Sequence, residues 1–258
     1  MARIHVLLKK EELQTERLGG KVVVVIDILF ATSSIVAALA HGAGEVVPAL
    51  NGEAAAQEAA GRAAGSYVLS GELNAVTLAG FSHPTPMALL QEDLAGKTLI
   101  YSTTNGTVAL GNARGADHVY AAALLNGEAM AAQIERAHAR DTVLMVCSGS
   151  ADNFNLEDFY GAGYLVSLLA RSSGAHELTD AATAARLLHD HSEAMECLGS
   201  SRVGRMMLAR GLEHEVKFAA EKSRFSLVAR LEGRTLRALR STADFESPRA
   251  ATDKRGST

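Results

Sequence analysis

Residues 21–43 read KVVVVIDILFATSSIVAALAHGA, and the order of apolar and polar side chains in this stretch decides the fold. Lys21 to Leu29 is an almost continuous apolar run rich in β-branched residues, which predicts a strand covered on both faces. Ala31 to Ala40 then repeats its apolar residues at helical spacing, so a helix is expected directly after the strand. A buried strand that leads into a helix is half of a βαβ unit, the unit that builds parallel sheets.

The same alternation of short apolar strands and alanine-rich helices continues on both sides of this stretch. It predicts an α/β protein with three layers (α/β/α) and a mainly parallel sheet. Further strands are predicted at 4–8, 45–49, 67–70, 97–102, 118–121 and 142–147, and further helices at 52–64, 107–112 and 127–139.

The last part of the chain follows a different pattern. Residues 156–221 are mostly helical in character, and residues 224–239 predict a hairpin. The polar composition of 241–258 predicts a disordered tail after a domain at 1–240. A division of this domain into two related lobes near residue 140 stays open, because no change in composition marks a linker there.

The composition excludes several classes of protein. The 258 residues carry a net charge of −4 with 25 scattered Lys and Arg, so no basic face is expected to neutralise nucleic-acid phosphates. No apolar run approaches the roughly 20 residues that span a bilayer. Lys9 and Lys10 interrupt the first apolar segment, so no signal peptide is expected either. Cys147 and Cys197 are too few for a disulfide framework, which favours a cytoplasmic protein.

Polar side chains follow the predicted strands at their carboxyl ends, where open parallel sheets bind ligands. The first such loop places Asp27 at the end of its strand and Thr32 and Ser33 at the start of the next helix. Helix N-termini bind phosphate, so Thr32 and Ser33 are candidate phosphate ligands, with simple N-capping as the alternative. Asp27 is the stronger candidate, because an apolar strand rarely ends in an unpaired buried acid.

The second loop reads STTNGT at residues 102–107, and five of its six side chains can form hydrogen bonds. A helix cap needs only one such side chain, and a glycine lets the backbone approach an anion. Thr103, Thr104, Asn105 and Gly106 are therefore predicted to bind phosphate, while capping and a turn remain the alternative.

Two further loops carry carboxylates. Ser148 and Gly149 follow the strand at 142–147 as candidate phosphate contacts, and Glu157 and Asp158 open the next helix. Acids in a first turn usually complement the helix dipole, but Mg²⁺ also prefers one or two carboxylates together with phosphate oxygens. Glu72, just after the strand at 67–70, is a weaker candidate of the same kind.

The spacing of residues argues against several familiar mechanisms. The chain contains neither G-x-x-x-x-G-K-[ST] nor G-x-G-x-x-G, which disfavours nucleotide triphosphatases and Rossmann dehydrogenases. No arginine closely follows Cys147, so a buried thiol is favoured over a cysteine phosphatase. Leu29 stands where a phosphatase of the haloacid dehalogenase kind needs a second aspartate after Asp27.

Three blocks together resemble the 2-phosphosulfolactate phosphatase family. They are VVVIDILFATSSIVAALAHGA (23–43), STTNGTVAL (102–110) and CSGSADNFNLEDFYGAGYLV (147–166), and the likeness runs in order from about residue 21 to residue 211. The resemblance implies a three-layer α/β/α fold. It also implies Mg²⁺-dependent hydrolysis of the phosphate ester of a small 2-hydroxy acid, with a homodimer as an open alternative to a monomer.

The resemblance also implies roles for individual residues. Three carboxylates are implied to be catalytic, and the same three together with a fourth are implied to bind Mg²⁺. Further residues are implied to bind the phosphate through side chains or backbone. The implied catalytic residues are Asp27, Glu72 and Glu157, the implied metal ligands are these three and Asp158, and the implied phosphate contacts are Thr32, Ser33, Thr103, Thr104, Asn105, Gly106, Ser148 and Gly149.

The chain departs from the family pattern at Phe30 and Leu73, where the family usually has arginine. Arginine forks onto phosphate, sulfonate or carboxylate, and phenylalanine and leucine cannot. Two alternatives to the family's own reaction follow: a different, less anionic substrate in the same pocket, or a catalytically diverged protein that binds a small anion. A cation brought into the pocket from elsewhere, such as Arg202 or Arg205, would favour the phosphatase.

Overall fold

The computed structural model of the chain describes residues 1–172 and 176–240, and these residues contain one sheet of eleven strands. Helices cover both sides of the sheet, so the predicted three-layer α/β/α class is confirmed. The strands are β1 (Arg3–Leu7), β2 (Lys21–Ile26), β3 (Glu45–Ala49), β4 (Tyr67–Leu73), β5 (Val76–Thr77), β6 (Thr98–Ser102), β7 (His118–Ala122), β8 (Thr142–Cys147), β9 (Glu177–Leu178), β10 (Leu227–Glu232) and β11 (Thr235–Arg240).

Ten α-helices connect or flank these strands within the described residues, together with four short 3-10 turns. The helices are α1 (Ala31–Ala40), α2 (Gly52–Ala60), α3 (Pro86–Leu89), α4 (Gly106–Asn112), α5 (Gly127–Ala137), α6 (Leu156–Arg171), α7 (Asp180–Asp190), α8 (Ala194–Ser200), α9 (Arg202–Ala209) and α10 (Glu213–Ala219). None of them combines the length and the apolar character that crossing a membrane requires.

The sheet consists of two groups of parallel strands with a hairpin between them. Its order is β5-β4-β6-β3-β11-β10-β7-β2-β8-β1-β9. The β7-β2-β8-β1-β9 group is parallel throughout, and so is β3-β6-β4. The hairpin β10–β11 pairs antiparallel with β7 on one side and β3 on the other. Because three antiparallel pairings separate the two groups, their strands run in opposite directions.

The core is centred on β2 and α1, the stretch with which the sequence argument began. Val22 to Ile26 are at most 1% exposed, because β7 and β8 flank the strand and helices cover it. Helix α1 is buried on every side from Ala31 to Leu39, beyond the single apolar face that its spacing predicted. The reason is its position: α1 contacts β7 and β10, β3 and β11, and helices α3 and α4.

The remaining differences from the predicted elements are local. Strand β2 ends at Ile26, three residues before the predicted end, because Asp27 already begins the turn into α1. The helical region contains the short strand β9, which extends the sheet beside β1. The predicted disordered tail at 241–258 lies outside the described residues, and the division near residue 140 remains a prediction.

Candidate active site

Loops from both groups of parallel strands meet around a cavity of about 270 Å³. Lys10 joins them, because its buried ammonium donates to the Asn105 side chain at 3.0 Å and to the Ser148 carbonyl at 3.3 Å. Half of the predicted site residues line this cavity: Asp27, Glu72, Thr103, Thr104, Asn105 and Gly149. A larger open depression of about 750 Å³ around His189 and Lys222 contains none of them.

Asp27 lies at the carboxyl end of β2 and is only 6% exposed. One of its carboxylate oxygens, Oδ1, accepts the N–H of Ala31 at 3.1 Å at the start of α1. Burial raises the pKa of the Asp27 carboxyl above its usual value, and the nearby negative charge of Glu72 acts in the same direction. A carboxylate with a raised pKa is a stronger base and gains more from a bound cation.

The hydroxyls of Thr32 and Ser33 do not face the cavity. Thr32 Oγ1 accepts the N–H of Asp27 at 2.9 Å and donates to the Asp27 carbonyl at 2.9 Å. Ser33 Oγ donates to the Ile28 carbonyl at 2.8 Å. Both hydroxyls thus hold the turn between β2 and α1, and neither caps the helix, whose N-cap residue Phe30 forms no side-chain cap.

Glu72, at the end of β4, holds the TTNG loop in place. Its Oε1 accepts the N–H of Thr104 at 2.6 Å, and its Oε2 accepts the Thr104 hydroxyl at 3.1 Å and the N–H of Ala75 at 2.5 Å. Both carboxylate oxygens therefore already have donors. Thr103 Oγ1 accepts the N–H of Thr107 at 3.2 Å, so this hydroxyl holds the loop against the first turn of α4.

Gly106 begins α4 and brings this loop directly against Asp27. A β-carbon at residue 106 would lie 2.6 Å from Asp27 Oδ2 and would overlap the Ala31 side chain. Only a residue without a side chain permits this approach. Gly106 is buried and packs beside Asp27, and its role in phosphate binding stays a prediction.

Asp158 connects the first and third loops. Its Oδ1 accepts the N–H of Ile28 at 2.9 Å, while Oδ2 accepts the Ser148 hydroxyl and the N–H of Gly149, each at 3.2 Å. Burial raises the pKa of Asp158 well above its usual value, and the charges of Asp27 and Glu157 add to this effect. Asp158 and Ser148 thus lie behind the cavity, and only Gly149 of this group lines it.

Glu157 is 1% exposed, and neither of its carboxylate oxygens has a hydrogen-bond partner within the described residues. Burial raises the pKa of Glu157 to about 7, and the Asp27 charge contributes in the same direction. A buried carboxylate without donors is costly. A cation or a proton would compensate this cost.

A cationic side chain reaches the cavity from α9. Arg202 lines it, and its guanidinium donates to the Ser150 hydroxyl and, at 3.4 Å, to Asn155 Oδ1. Arg205, the other arginine considered from the sequence, is exposed and donates to the Ser200 carbonyl instead. Ser201 caps α9 by accepting the N–H of Gly204 at 2.9 Å, so the helix begins at Arg202. A serine in this position is a sequence signal for the start of a helix.

Lys10 was the residue that sequence reasoning missed. It is 9% exposed, and besides Asn105 and Ser148 it pairs with Glu11 at 2.9 Å. Adjacent lysine and glutamate residues in a short polar segment carry no signal of a site, because such charges usually lie in solvent. Cys147 is completely buried, and burial raises the pKa of its thiol well above the usual value, as expected for a structural cysteine.

Two of the four carboxylates have oxygens that accept no hydrogen bond from the protein and could accept a divalent cation. Asp27 lines the cavity and accepts one N–H, at Oδ1, and Glu157 has two buried oxygens without donors in the described part of the chain but does not itself line the cavity. Both oxygens of Glu72 and of Asp158 already accept hydrogen bonds. No group of three His, Cys, Asp or Glu side chains within residues 1–172 and 176–240 is arranged to enclose a metal ion. The donors fit Mg²⁺, which needs few carboxylates and keeps waters and phosphate oxygens as its other ligands.

Comparison with known proteins supports the likeness seen in the three sequence blocks. A family model described as 2-phosphosulpholactate phosphatase matches residues 7–234. The chain is 36% identical over 230 residues to the "Probable 2-phosphosulfolactate phosphatase" of Clostridium perfringens (strain SM101 / Type A), covering 88% of this chain and 92% of that protein. A protein of the same description from Symbiobacterium thermophilum is 35% identical over 209 residues, covering 80% and 89% of the two chains.

Proposed function

The chain belongs to the 2-phosphosulfolactate phosphatase family, whose members are phosphoric monoester hydrolases, and we propose from this premise that it is a Mg²⁺-dependent phosphatase acting on the phosphate ester of a 2-hydroxy acid. In this reaction water adds to phosphorus, the bond from phosphorus to the ester oxygen breaks, and that oxygen takes up a proton. The products are inorganic phosphate and the free 2-hydroxy acid. Such a protein is expected to work in the cytoplasm.

The observation that carries this proposal is that one cavity has both an anionic and a cationic side chain in its wall. Asp27 lines it directly after β2, and Arg202 reaches it from α9. A guanidinium binds phosphate or carboxylate oxygens through paired N–H donors. Arg202 therefore supplies a positive charge that the apolar side chain of Phe30 does not. A cation that reaches the pocket from elsewhere in the chain was the feature expected to favour a phosphatase.

The protein's own groups would orient the ester and handle the proton. Asn105, held by Lys10, offers an amide toward the cavity beside Thr104. Asp27, as a metal ligand or general base, is the carboxylate nearest to the reacting atoms in this proposal. When bound, Mg²⁺ held by Asp27 and Glu157 would neutralise charge on the phosphate oxygens and lower the pKa of a bound water.

A second candidate function rests on Phe30, which lines the cavity and offers no charge to a substrate anion. It is the non-catalytic binding of a small anion by a diverged member of the family. Leu73 does not bear on this alternative, because its side chain is 57% exposed and lies outside the cavity.

The test is phosphate release from a panel of phosphorylated 2-hydroxy acids, measured with Mg²⁺ and with EDTA. We expect release with Mg²⁺ and none with EDTA. We also expect Mg²⁺ to raise the melting temperature, since a ligand that binds only the folded state at 100 times its Kd adds about 2.7 kcal/mol of stability. Binding of the esters without release of phosphate from any of them would support the second candidate and contradict the phosphatase.

A further inference from the structure

The cavity that holds Asp27 adjoins a second cavity of about 200 Å³. The two cavities share Phe30, Glu72, Ala75 and Met206 in their walls, and we call them the first and the second end of the site. The first end contains Asp27, Asn105 and Arg202. The second end has no part in the proposed hydrolysis.

Apolar side chains form most of the second end. Phe30, the residue directly before α1, lines this end together with Met206 and Met207 of α9. Pro84 and Leu212 complete the wall. Methionine and phenylalanine present flexible and flat apolar surfaces that pack against hydrocarbon groups of varied shape.

Four polar residues line the second end, and three of them, Glu72, His83 and Arg210, form side-chain hydrogen bonds within the protein, while Thr77 is the fourth. Glu72 accepts hydrogen bonds at both oxygens, and the Arg210 guanidinium, exposed at the mouth, donates to the Ala75 carbonyl at 2.6 Å. His83 is exposed and hydrogen-bonded to the Thr85 hydroxyl at 2.8 Å. A second anion inside this end would lie near the Glu72 carboxylate and against apolar walls, with Arg210 at the mouth as the cation within its reach, whereas a hydrocarbon group needs no charged partner.

We propose that this end is a subsite for an uncharged, apolar substituent of the substrate, so that the enzyme prefers a phosphorylated 2-hydroxy acid with a hydrocarbon side chain over one with a sulfonate. This inference rests on the proposed phosphatase function and names the substrate class for the same site. The phosphate and carboxylate occupy the first end, and the side chain on the carbon that bears the phosphate ester enters between Phe30 and Met206.

The experiment compares three esters: O-phospholactate, O-phospho-2-hydroxy-4-methylpentanoate and 2-phosphosulfolactate. Dissociation constants come from calorimetry, and kcat and KM come from phosphate release with Mg²⁺. Each buried methylene should tighten binding about fourfold, so the isobutyl ester should bind roughly 30- to 60-fold more tightly than the methyl ester. The sulfonate ester should bind more weakly than the isobutyl ester, with the differences appearing in KM more than in kcat.

Two variants at residue 30 provide the control. Phe30→Leu keeps an apolar wall and should keep the preference for the isobutyl ester. Phe30→Arg adds a fork for an anion and should improve binding of the sulfonate ester by roughly tenfold or more. Melting temperatures establish that both variants are folded.

The outcomes separate this inference from the function on which it rests. A wild-type preference for 2-phosphosulfolactate, especially one that Arg210→Met removes, would overturn the apolar subsite and leave the phosphatase standing. Absence of phosphate release from all three esters would contradict the phosphatase. Calorimetry would then still decide the subsite, because a gain in affinity from methyl to isobutyl does not depend on turnover.

Discussion

Four buried carboxylates surround the candidate site, and their hydrogen bonds divide them into two kinds. Asp158 and Glu72 accept hydrogen bonds from neighbouring loops at both oxygens and thereby hold these loops in place. Asp27 accepts a single backbone N–H at Oδ1, and Glu157 accepts none within the described residues. The first kind is suited to positioning loops, and the second kind is suited to bind a cation or to handle a proton.

This division predicts that an aspartate-to-asparagine substitution lowers activity at residue 27 and stability at residue 158. Asp27→Asn should lower phosphate release at least 100-fold, because an amide is neither a base nor a good Mg²⁺ ligand. Its unfolding free energy should stay within about 1 kcal/mol of the wild type, since the amide oxygen can still accept the Ala31 N–H. Phosphate release and urea unfolding measure the two effects.

Asp158→Asn is the matched control. Its amide nitrogen would face the Gly149 N–H and the Ser148 hydroxyl, so we expect a loss of about 1–3 kcal/mol in unfolding free energy. If Asp27→Asn keeps full activity, the site is placed wrongly. If Asp158→Asn is as stable as the wild type, the division of the carboxylates is wrong.

At the scale of elements, the site depends on how closely α4 approaches the turn between β2 and α1. Gly106 begins α4, and a β-carbon there would lie 2.6 Å from Asp27 Oδ2 and would overlap the Ala31 side chain. The polar residues of the TTNG loop and the carboxylate of the first loop therefore come together because of one missing side chain. The motif predicted a phosphate contact at this position, and the geometry adds a packing role for the glycine.

Gly106→Ala should therefore destabilise the protein and impair activity together. Forcing a methyl group into this contact should cost about 1–3 kcal/mol and displace Asp27. Thermal melting and phosphate release would measure the two losses.

Gly111→Ala in the same helix is the comparison. Its β-carbon would meet only the far end of the Leu50 side chain at 3.4 Å. Because alanine favours helix over glycine by about 1 kcal/mol, this variant should be as stable as the wild type or more stable, with unchanged activity. Equal tolerance of alanine at both positions would contradict the close approach.

At the scale of the whole molecule, the hairpin β10–β11 joins the two groups of parallel strands. Ala229 in β10 is fully buried and pairs with Ala121 of β7 and Ala238 of β11. The contact on the other side is narrower, because β11 pairs with β3 only at Leu236 and Val46. Pro48 lies two residues further along β3, where β11 is not paired with this strand. Its missing N–H therefore removes no hydrogen bond to β11.

Ala229→Pro should therefore disrupt the join between the two groups. Proline removes an N–H from a strand that is paired on both sides, which should cost about 3 kcal/mol or more of unfolding free energy. Urea unfolding followed by circular dichroism measures the loss.

Ala229→Gly keeps the N–H and should cost only about 0.5–1 kcal/mol. The difference between the two variants isolates the ladder hydrogen bonds. Similar stability of the two variants would show that this hairpin does not hold the sheet together.

The sequence by itself determined the family and most of the strands and helices, because both depend on residues close together in the chain, whereas the short elements β5, β9 and α3 were not predicted. The apolar run of β2, the helix that follows it, the strands that end in polar loops and the three family blocks are all local patterns. The carboxylates and hydroxyls were identified for the same reason, since each follows a recognisable strand.

Only the tertiary structure decided which of these groups face the cavity and what else reaches it. Thr32 and Ser33 bond to their own turn, Asp158 lies behind the cavity, and Lys10 and Arg202 arrive from distant segments. The position of the hairpin inside the sheet, which reverses the second group of strands, was equally invisible. Strand pairing and side-chain direction depend on contacts between residues far apart in the chain, and local spacing carries no information about them.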